Sequence, residues 1–307
     1  MTYHSKEKDL NKVARLHDLL GQLRNSYATD RFAFIKGEIV RDILIQFGAT
    51  EADVDALETV SDRLTDDPTL AYRLTRNGRF CLDFENGTFR RMEFQPFVLT
   101  PEEDFIRHDS GVVRRFRGIQ DDLQRNSAFI ALMQFKAFMI DELSSAKRRA
   151  LDYTTRNWIS TVFHVRTITS DKILGEPAAE GAHCDGVDHT MTTFLGARNM
   201  GPGSGISQIH KMAQKTGTPW DAVDPALVKA TVQHQSFLDT LLIFDNERKH
   251  TVSPVFCKDP QDRAQRDMLV IFTRKPATQG HPSHDLDSQT PHPDMPLDVP
   301  LAPYPLG

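Results

Sequence analysis

The sequence is poor in cysteine and has no long apolar run. Only three of its 307 residues are cysteine, Cys81, Cys184 and Cys257, and they are widely separated. A disulfide framework is therefore excluded as the basis of the fold, and reduced thiols are typical of a cytoplasmic protein. No apolar run approaches the roughly 18 residues that a membrane-spanning helix needs. The charged first residues contain no apolar segment, so we expect no secretory signal.

Clustered positive charge is also absent. The chain has 37 Lys and Arg residues against 42 Asp and Glu residues, a net charge of −5, and the two signs are mixed along the chain. A nucleic-acid surface requires grouped basic residues that neutralise phosphates, so that function is excluded. A hydrophobic share of 39% with 26% charged residues is typical of a globular protein. We therefore expect a small molecule, and neither nucleic acid nor a membrane, as the partner.

Residues 1–150 are predicted to form a mainly helical region with one β-hairpin, which packs on the region that follows. Apolar residues recur at helical spacing near the start of the chain and again from Ile119 to about Arg156. Between these segments, alternating apolar residues flank the Asn86-Gly87 turn, which indicates the hairpin. The apolar stripe from Ile119 to Leu143 is expected to belong to the core, with a homodimer contact as the alternative.

Residues 151–275 are predicted to form a catalytic core of a different kind. Short apolar runs rich in β-branched and aromatic residues are separated by turn residues, and only Asp221 to Gln233 looks helical. This pattern predicts a mostly β fold, a sandwich or jelly roll, with the helical region packed around it. Residues 276–307 contain eight of the 17 prolines, and we expect this Pro-rich tail to be extended and mobile.

The sharpest local motif is a histidine followed two residues later by an aspartate. His183 and Asp185 share one face of an extended segment, while Cys184 points to the other. Together they offer two ligands of a 2-His-1-carboxylate metal site, which leaves positions open for a cosubstrate and dioxygen. Because 42 acidic residues are spread over the chain, about one or two such matches are expected by chance. A second match, His292-Pro-Asp294, does occur in the tail.

Two later residues make the metal interpretation stronger. His250 begins a strand after a tight polar turn, where a small antiparallel barrel could bring it beside the earlier pair. Arg266 shares one face of a strand with Met268, Val270 and Phe272, so its guanidinium is expected in an apolar interior. A buried arginine needs an anionic partner, and the far carboxylate of a chelated dicarboxylate would satisfy it.

At this point the chain resembles a known family, the bacterial and fungal Fe(II)- and 2-oxoglutarate-dependent dioxygenases that include L-isoleucine 4-hydroxylase. The resemblance covers roughly Trp158 to Arg274. It is carried by four blocks in the right order: Glu180-Gly-x-His183-x-Asp185-Gly186-Val187-Asp188, the glycine-rich loop before Gly205-Ile-Ser207, Asp245 with His250-Thr-Val-Ser-Pro254, and Arg266-Asp-Met-Leu.

The resemblance implies a double-stranded β-helix, with iron bound by His183, Asp185 and His250 and 2-oxoglutarate anchored by Arg266. It also implies a free amino acid as the substrate. The sequence thus predicts an oxygenase that uses Fe(II), 2-oxoglutarate and dioxygen, hydroxylates a free L-amino acid and releases succinate and CO2. Three alternatives stay open: desaturation or ring closure by the same chemistry, a metal-dependent hydrolase, and a non-catalytic jelly-roll binding protein.

Other charged residues are candidates for secondary roles. His164 and Arg166 share a strand face. They either line the site, where Arg166 could bind a carboxylate of the substrate or cosubstrate, or form a structural ion pair with an acidic residue. Asp188 is a candidate for binding substrate or for orienting the metal ligands, and the alternative is a solvated turn residue. Arg263, in a polar loop, and Arg274, at a strand end, are weaker candidates for holding the cosubstrate carboxylate.

Overall fold

Two antiparallel sheets, one large and one small, form the centre of the fold. The computed structural model describes residues 3–103, 106–107 and 109–301, and for residues 3–14 it describes the backbone alone. The large sheet has the strand order β1-β9-β6-β11-β5-β3-β4-β12, with β2 paired to β3, and the small sheet has the order β10-β7-β8. The strands are β1 (Phe32–Ile35), β2 (Thr65–Asp66), β3 (Arg73–Asp83), β4 (Thr88–Arg91), β5 (Asn157–Thr169), β6 (His189–Arg198), β7 (Ile206–His210), β8 (Val228–Gln233), β9 (Thr240–Phe244), β10 (Lys249–Val252), β11 (Ala264–Arg274) and β12 (Asp298–Pro300).

Strands β5 and β11 lie side by side in the large sheet and pair along eleven positions. Both are rich in the β-branched and aromatic residues that suit a pleated, buried surface. Because side chains alternate between the faces of a strand, Val165 and its partner Met268 point into a cavity between the sheets. The neighbouring pair, His164 and Leu269, points to the opposite face, toward the helices.

Helices cover that opposite face of the large sheet. They are α1 (Tyr3–Asp30), α2 (Gly37–Gln46), α3 (Glu51–Ala56), α4 (Asp121–Gln124) and α5 (Ser127–Ile140). Helix α5 begins after Asn126, whose side chain accepts hydrogen bonds from two backbone N–H groups of the first turn. Twelve of its 14 residues are buried, and the ten apolar ones among them form one cluster with sheet residues such as Leu269 and Ile271. The apolar stripe of this helix therefore belongs to the core and leaves no face for contact between two copies.

The predicted hairpin is present, but it continues the large sheet instead of packing on it. Strand β3 pairs with β5 from Arg73 opposite Thr167 to Asp83 opposite Asn157. Strand β1 likewise pairs with β9. These pairings satisfy backbone donors and acceptors that would otherwise be left at a buried sheet edge. The large sheet thus contains strands from both sides of residue 150.

The helix expected between Asp221 and Gln233 is wrong. This stretch contains a short 3₁₀ turn and then β8, which pairs with β7. Val228, Ala230 and Val232 alternate with the period of a strand, which is the structure that this part of the stretch adopts.

The expectation of a mobile tail is wrong for residues 276–301. Strand β12 pairs with β4, and the Asp287 carboxylate is buried in ion pairs with Arg79 and Arg274. A carboxylate that neutralises two buried guanidinium groups anchors this segment, although its prolines exclude a regular ladder. Residues 302–307 lie outside the described residues. Across the described part of the chain, none of the helices combines the length and apolar character that a membrane crossing requires.

Candidate functional site

The cavity between the two sheets has a mainly apolar wall with two groups of polar side chains. Four aromatic rings contribute to the wall, those of Phe97, Phe116, Phe163 and Phe272. A cleft of this composition, with a few convergent polar groups, is the usual form of a small-molecule site. The polar groups are the predicted metal-binding residues with Arg266, and a set of charged residues that the sequence did not identify as a site.

His183, Asp185 and His250 meet in this cavity. Each offers one ligand atom, and these three atoms lie within 4.8 Å of one another. The His183 Nε2 atom is 3.2 Å from Asp185 Oδ1, and the His250 Nε2 atom is 3.6 Å from Asp185 Oδ2. The two histidines are brought together by their backbones, since each N–H donates to the other's carbonyl at 3.1 and 3.0 Å. Two imidazoles and one carboxylate are the donor set of a facial metal site with open positions.

Hydrogen bonds fix the direction in which these ligands point. The His183 Nδ1 atom lies 2.8 Å from the Gly181 carbonyl oxygen, which can only accept, so Nδ1 carries the proton. In the neutral form that metal binding requires, the ring therefore presents the lone pair of Nε2 to the space between the three residues. Thr190 donates its hydroxyl to Asp185 Oδ2 at 2.6 Å. The side chains are therefore held in the orientation that binding of a cation requires.

The electrostatics of the site also favour a cation. Burial disfavours protonation of His183, but the carboxylates of Glu180 and Asp185 outweigh it and raise the pKa of His183 to about 10. Burial alone would raise the pKa of Asp185, yet the imidazoles of His250 and His183 lower it to about 2. The concentrated negative charge around these imidazoles stabilises positive charge, which is the field that an Fe(II) ion needs. The residues present therefore fit a divalent metal.

Asp245 supports the loop that carries Asp185. Both of its carboxylate oxygens accept the backbone N–H of Asp185 at 2.8 Å, and one oxygen also accepts that of Val187 at 3.3 Å. Its own charge is balanced by Arg148 at 3.0 Å. The sequence identified Asp245 only as part of a motif and assigned its side chain no role. The structure shows that this side chain holds the backbone of the loop that contains Asp185.

Arg266 lies in the cavity, as the alternation of β11 predicted. It is 5% exposed and forms no ion pair with any described residue, and its Nε atom has no hydrogen-bond partner. Burial lowers the pKa of Arg266 to about 10, which still leaves the guanidinium charged at neutral pH. Gly205 adopts φ +61° beside it, and a Cβ at that position would lie 2.7 Å from the Arg266 Nε atom. The pocket thus presents a buried, uncompensated positive charge that fits a carboxylate.

The structure does not bring His164 or Arg166 into the cavity. His164 Nε2 lies 2.8 Å from the Ser61 hydroxyl on the helical side of β5. Arg166 donates twice to Asp267 at 2.7 Å, which is the ion pair of the structural alternative. The alternation of β5 was interpreted correctly, but the register against β11 places the odd-numbered residues in the cavity.

Asp188 also lies outside the cavity wall. It is buried, accepts the Tyr153 hydroxyl at 2.6 Å and accepts the backbone N–H of Lys275 at 3.2 Å. Of the two weaker arginine candidates, Arg274 pairs with Asp287 and Arg263 is exposed. Neither lines the cavity.

The charged set that the sequence missed lies in the same cavity. Its members come from distant parts of the chain, and they are Asp67, Arg73, Arg107, Arg114 and Glu180. Glu180 stood within the recognised motif, three residues before His183, and this spacing was the one available signal. No local pattern indicated the others, because folding alone brings Asp67, Arg73, Arg107 and Arg114 together at the cavity.

The fold and the site together define a metal-dependent oxygenase. Residues 58–272 match the family model for 2OG-Fe dioxygenases, and the chain belongs to this family. It is 47% identical over 280 residues to the bifunctional enzyme flvA of Aspergillus flavus. The aligned region covers 91% of this chain and 34% of that protein. The chain therefore spans about a third of the length of this curated relative.

Solved structures agree with the assignment. The selenomethionine-labelled Fe(II)/α-ketoglutarate-dependent dioxygenase TqaL is 40% identical with a TM-score of 0.82, covering 95% of this chain and 98% of that one. The structure of IDO from Bacillus thuringiensis has a TM-score of 0.61 at 15% identity, covering 83% of this chain and 95% of that one, and shows the fold alone. The family and the site thus identify this chain as an oxidoreductase that uses Fe(II), 2-oxoglutarate and dioxygen. The hydrolase and the non-catalytic binding protein are not supported.

Proposed function

We propose that the protein hydroxylates an unactivated C–H bond of a free L-amino acid, with release of succinate and CO2. The observation that carries this proposal is one cavity with a His-Asp-His group, an unpaired buried arginine and a mainly apolar wall. Such a cavity has places for a metal, for a dicarboxylate and for a small, largely apolar substrate.

In this proposal, His183, Asp185 and His250 hold the iron, and Arg266 holds the distal carboxylate of 2-oxoglutarate. When bound, Fe(II) with 2-oxoglutarate and dioxygen supplies the oxidising chemistry that no amino-acid side chain can perform. The Gly181 carbonyl keeps the proton of His183 on Nδ1, so that Nε2 stays available to the metal. Thr190 and Asp245 orient Asp185, and the apolar wall excludes water and fixes which substrate carbon faces the metal.

The same reagents support two other outcomes, desaturation and ring closure. Which outcome follows depends on how the cavity places the substrate and not on the metal ligands. Product mass separates hydroxylation from both of them, because hydroxylation adds one oxygen whereas desaturation and ring closure each remove two hydrogens.

The test has two stages. First, anaerobic addition of Fe(II) and 2-oxoglutarate to the protein should produce a weak visible charge-transfer band, and the band's absence would refute the proposed cofactor site. Second, succinate release should be measured over a panel of free L-amino acids, with the mass of each product determined. We expect at least one amino acid to stimulate succinate release and to gain one oxygen. A stimulating substrate that carries no amino acid group would overturn the proposed substrate class while keeping the oxygenase.

A further inference from the structure

The carboxylate of Glu180 lies between the metal-binding group and the charged residues that the sequence missed. Its side chain is 8% exposed and it lines the cavity. Its Oε1 atom is 3.2 Å from His183 Nε2, and its Oε2 atom is 3.8 Å from an Arg107 nitrogen. The second distance is too long for a hydrogen bond, and among the described residues Oε2 has no hydrogen-bond partner.

The contact with His183 cannot be a hydrogen bond when a metal occupies the site. The His183 proton lies on Nδ1, toward the Gly181 carbonyl, so Nε2 has only its lone pair to offer. A metal would take that lone pair, and Glu180 Oε1 would then face no donor. Both oxygens of a buried carboxylate would lack a hydrogen bond in the loaded enzyme, which is costly unless a ligand supplies the donors.

The backbone holds Glu180 in this position. Gly181 has φ +73°, and a Cβ there would lie 2.5 Å from the Thr218 carbonyl oxygen. The next residue, Ala182, exchanges backbone hydrogen bonds with the 217–218 turn at 2.8 and 2.9 Å. The glutamate is therefore presented to the cavity from a turn that is fixed by its neighbours.

Neither Arg107 nor the metal accounts for this carboxylate. Arg107 donates from Nε and Nη2 to Asp109 at 2.5 and 2.8 Å, which commits its bidentate face to another acid. Glu180 does not belong to the group whose ligand atoms lie within 4.8 Å of one another. A fourth protein ligand would also occupy a position that a facial site leaves open.

We propose that Glu180 binds the ammonium group of the substrate and so determines specificity for free amino acids. This assignment rests on the proposed function, because it names the group that recognises the proposed substrate class. Primary ammonium offers three donors on one small cation, which suits two carboxylate oxygens that lack partners. Arg73 and Arg114 line the same cavity and suit the carboxylate of the same zwitterion, while the aromatic wall suits an apolar side chain.

The test compares matched ligands on matched variants. Apolar L-amino acids from alanine to phenylalanine, each paired with the carboxylic acid of the same skeleton without its amino group, are titrated calorimetrically into anaerobic protein loaded with Fe(II) and 2-oxoglutarate. We expect the wild type to bind at least one amino acid and to discriminate against its deaminated partner. Glu180→Gln, which keeps the size but not the charge, should weaken binding of that amino acid on the order of 30-fold or more and remove the discrimination.

Two controls separate substrate recognition from structure. Glu176→Gln neutralises a nearby glutamate that does not line the cavity, and it should bind the amino acid as the wild type does. In Glu180→Gln the affinity for 2-oxoglutarate should be unchanged. The affinity for Fe(II) should fall far less than the affinity for the amino acid, because Glu180 is only one of the carboxylates around His183. The loss should fall on KM for the amino acid more than on kcat.

Three results would overturn the assignment of Glu180. They are equal binding of the amino acid by Glu180→Gln and wild type, a parallel loss of Fe(II) affinity in Glu180→Gln, and a wild type that binds no ammonium-bearing compound. The last result, combined with normal turnover of 2-oxoglutarate, leaves the oxygenase assignment intact. A wild type that binds the amino acid through Glu180 but never consumes 2-oxoglutarate would instead refute the proposed reaction.

Discussion

The chain contains the same His-x-Asp pattern at two places, and only one of them forms a site. Beside His183 and Asp185 lies a third ligand, His250 of β10. Two backbone hydrogen bonds between His250 and His183 hold it there. At His292 and Asp294 the imidazole Nδ1 atom instead accepts backbone N–H groups of residues 294 and 295 at 3.2 and 3.1 Å. Among the described residues, the second pair belongs to no group of three metal-binding side chains.

The difference teaches that the surroundings of the pattern decide its chemistry. In the first pair, His183 Nδ1 donates to a carbonyl and Nε2 is left for a metal. In the second pair, Nδ1 acts as the acceptor that closes a local turn, and the aspartate is exposed. One ring is oriented toward a buried cavity and the other toward its own backbone.

The most direct way to break this comparison is to remove each histidine. His183→Ala should lower Fe(II) affinity by more than about 100-fold, because losing a direct ligand costs more than losing a group that orients one. Succinate formation should disappear with it. His292→Ala should leave both properties unchanged, as measured by anaerobic Fe(II) titration and by succinate release. Equal losses in the two variants would show that the geometry of the first pair has no special role.

A second difference between the two regions is the uncompensated guanidinium of Arg266. Arg266→Ala should raise KM for 2-oxoglutarate roughly 100-fold, since it removes one partner of a buried charge pair. The affinity of Arg266→Ala for Fe(II) should equal that of the wild type. Arg263→Ala, in an exposed loop, is the matched control and should behave like the wild type. If Arg263→Ala raised KM and Arg266→Ala did not, the cosubstrate would have to bind elsewhere.

The sequence predicted the parts of this site that depend on short spacing. Strand alternation alone groups His183 with Asp185, and it groups Arg266 with the apolar residues of β11 that share its face. His164 and Arg166 were assigned a possible role in the cavity because alternation tells which residues share a face but not which face is inside. That choice depends on the register of β5 against β11, a property of the whole sheet.

In the fold, too, the features that depend on neighbouring residues were predictable, and those that depend on residues far apart in the chain were not. The hairpin and the mostly β character of the second half were predictable, because they depend on turns and periods. The position of the hairpin strand beside β5 was not, and neither was the anchoring of the proline-rich segment by Asp287. Both depend on contacts between residues far apart in the chain, which no local pattern records.

The support of the ligand loop offers a finer test of the comparison. Asp245→Asn should lower Fe(II) affinity about 10- to 100-fold, because an amide nitrogen would then face the backbone N–H groups that the carboxylate now accepts. Asp267→Asn removes a buried carboxylate that pairs with Arg166 outside the cavity. That variant should lose stability in a thermal unfolding measurement but not Fe(II) affinity. Unchanged Fe(II) affinity in Asp245→Asn would show that the loop needs no such support.

The smallest expected effect concerns a single methyl group beside Arg266. Gly205 and Gly203 both have positive φ, +61° and +78°, so alanine costs roughly 1 kcal/mol of backbone strain at either position. The added Cβ at 205 meets the Arg266 side chain, whereas at 203 it meets no atom within 4 Å. Gly205→Ala should therefore raise KM for 2-oxoglutarate about tenfold, through displacement of the guanidinium, and Gly203→Ala should not. Because the strain is shared, a KM difference between these variants reports the position of the guanidinium, the feature that separates the cavity from the second His-x-Asp pair.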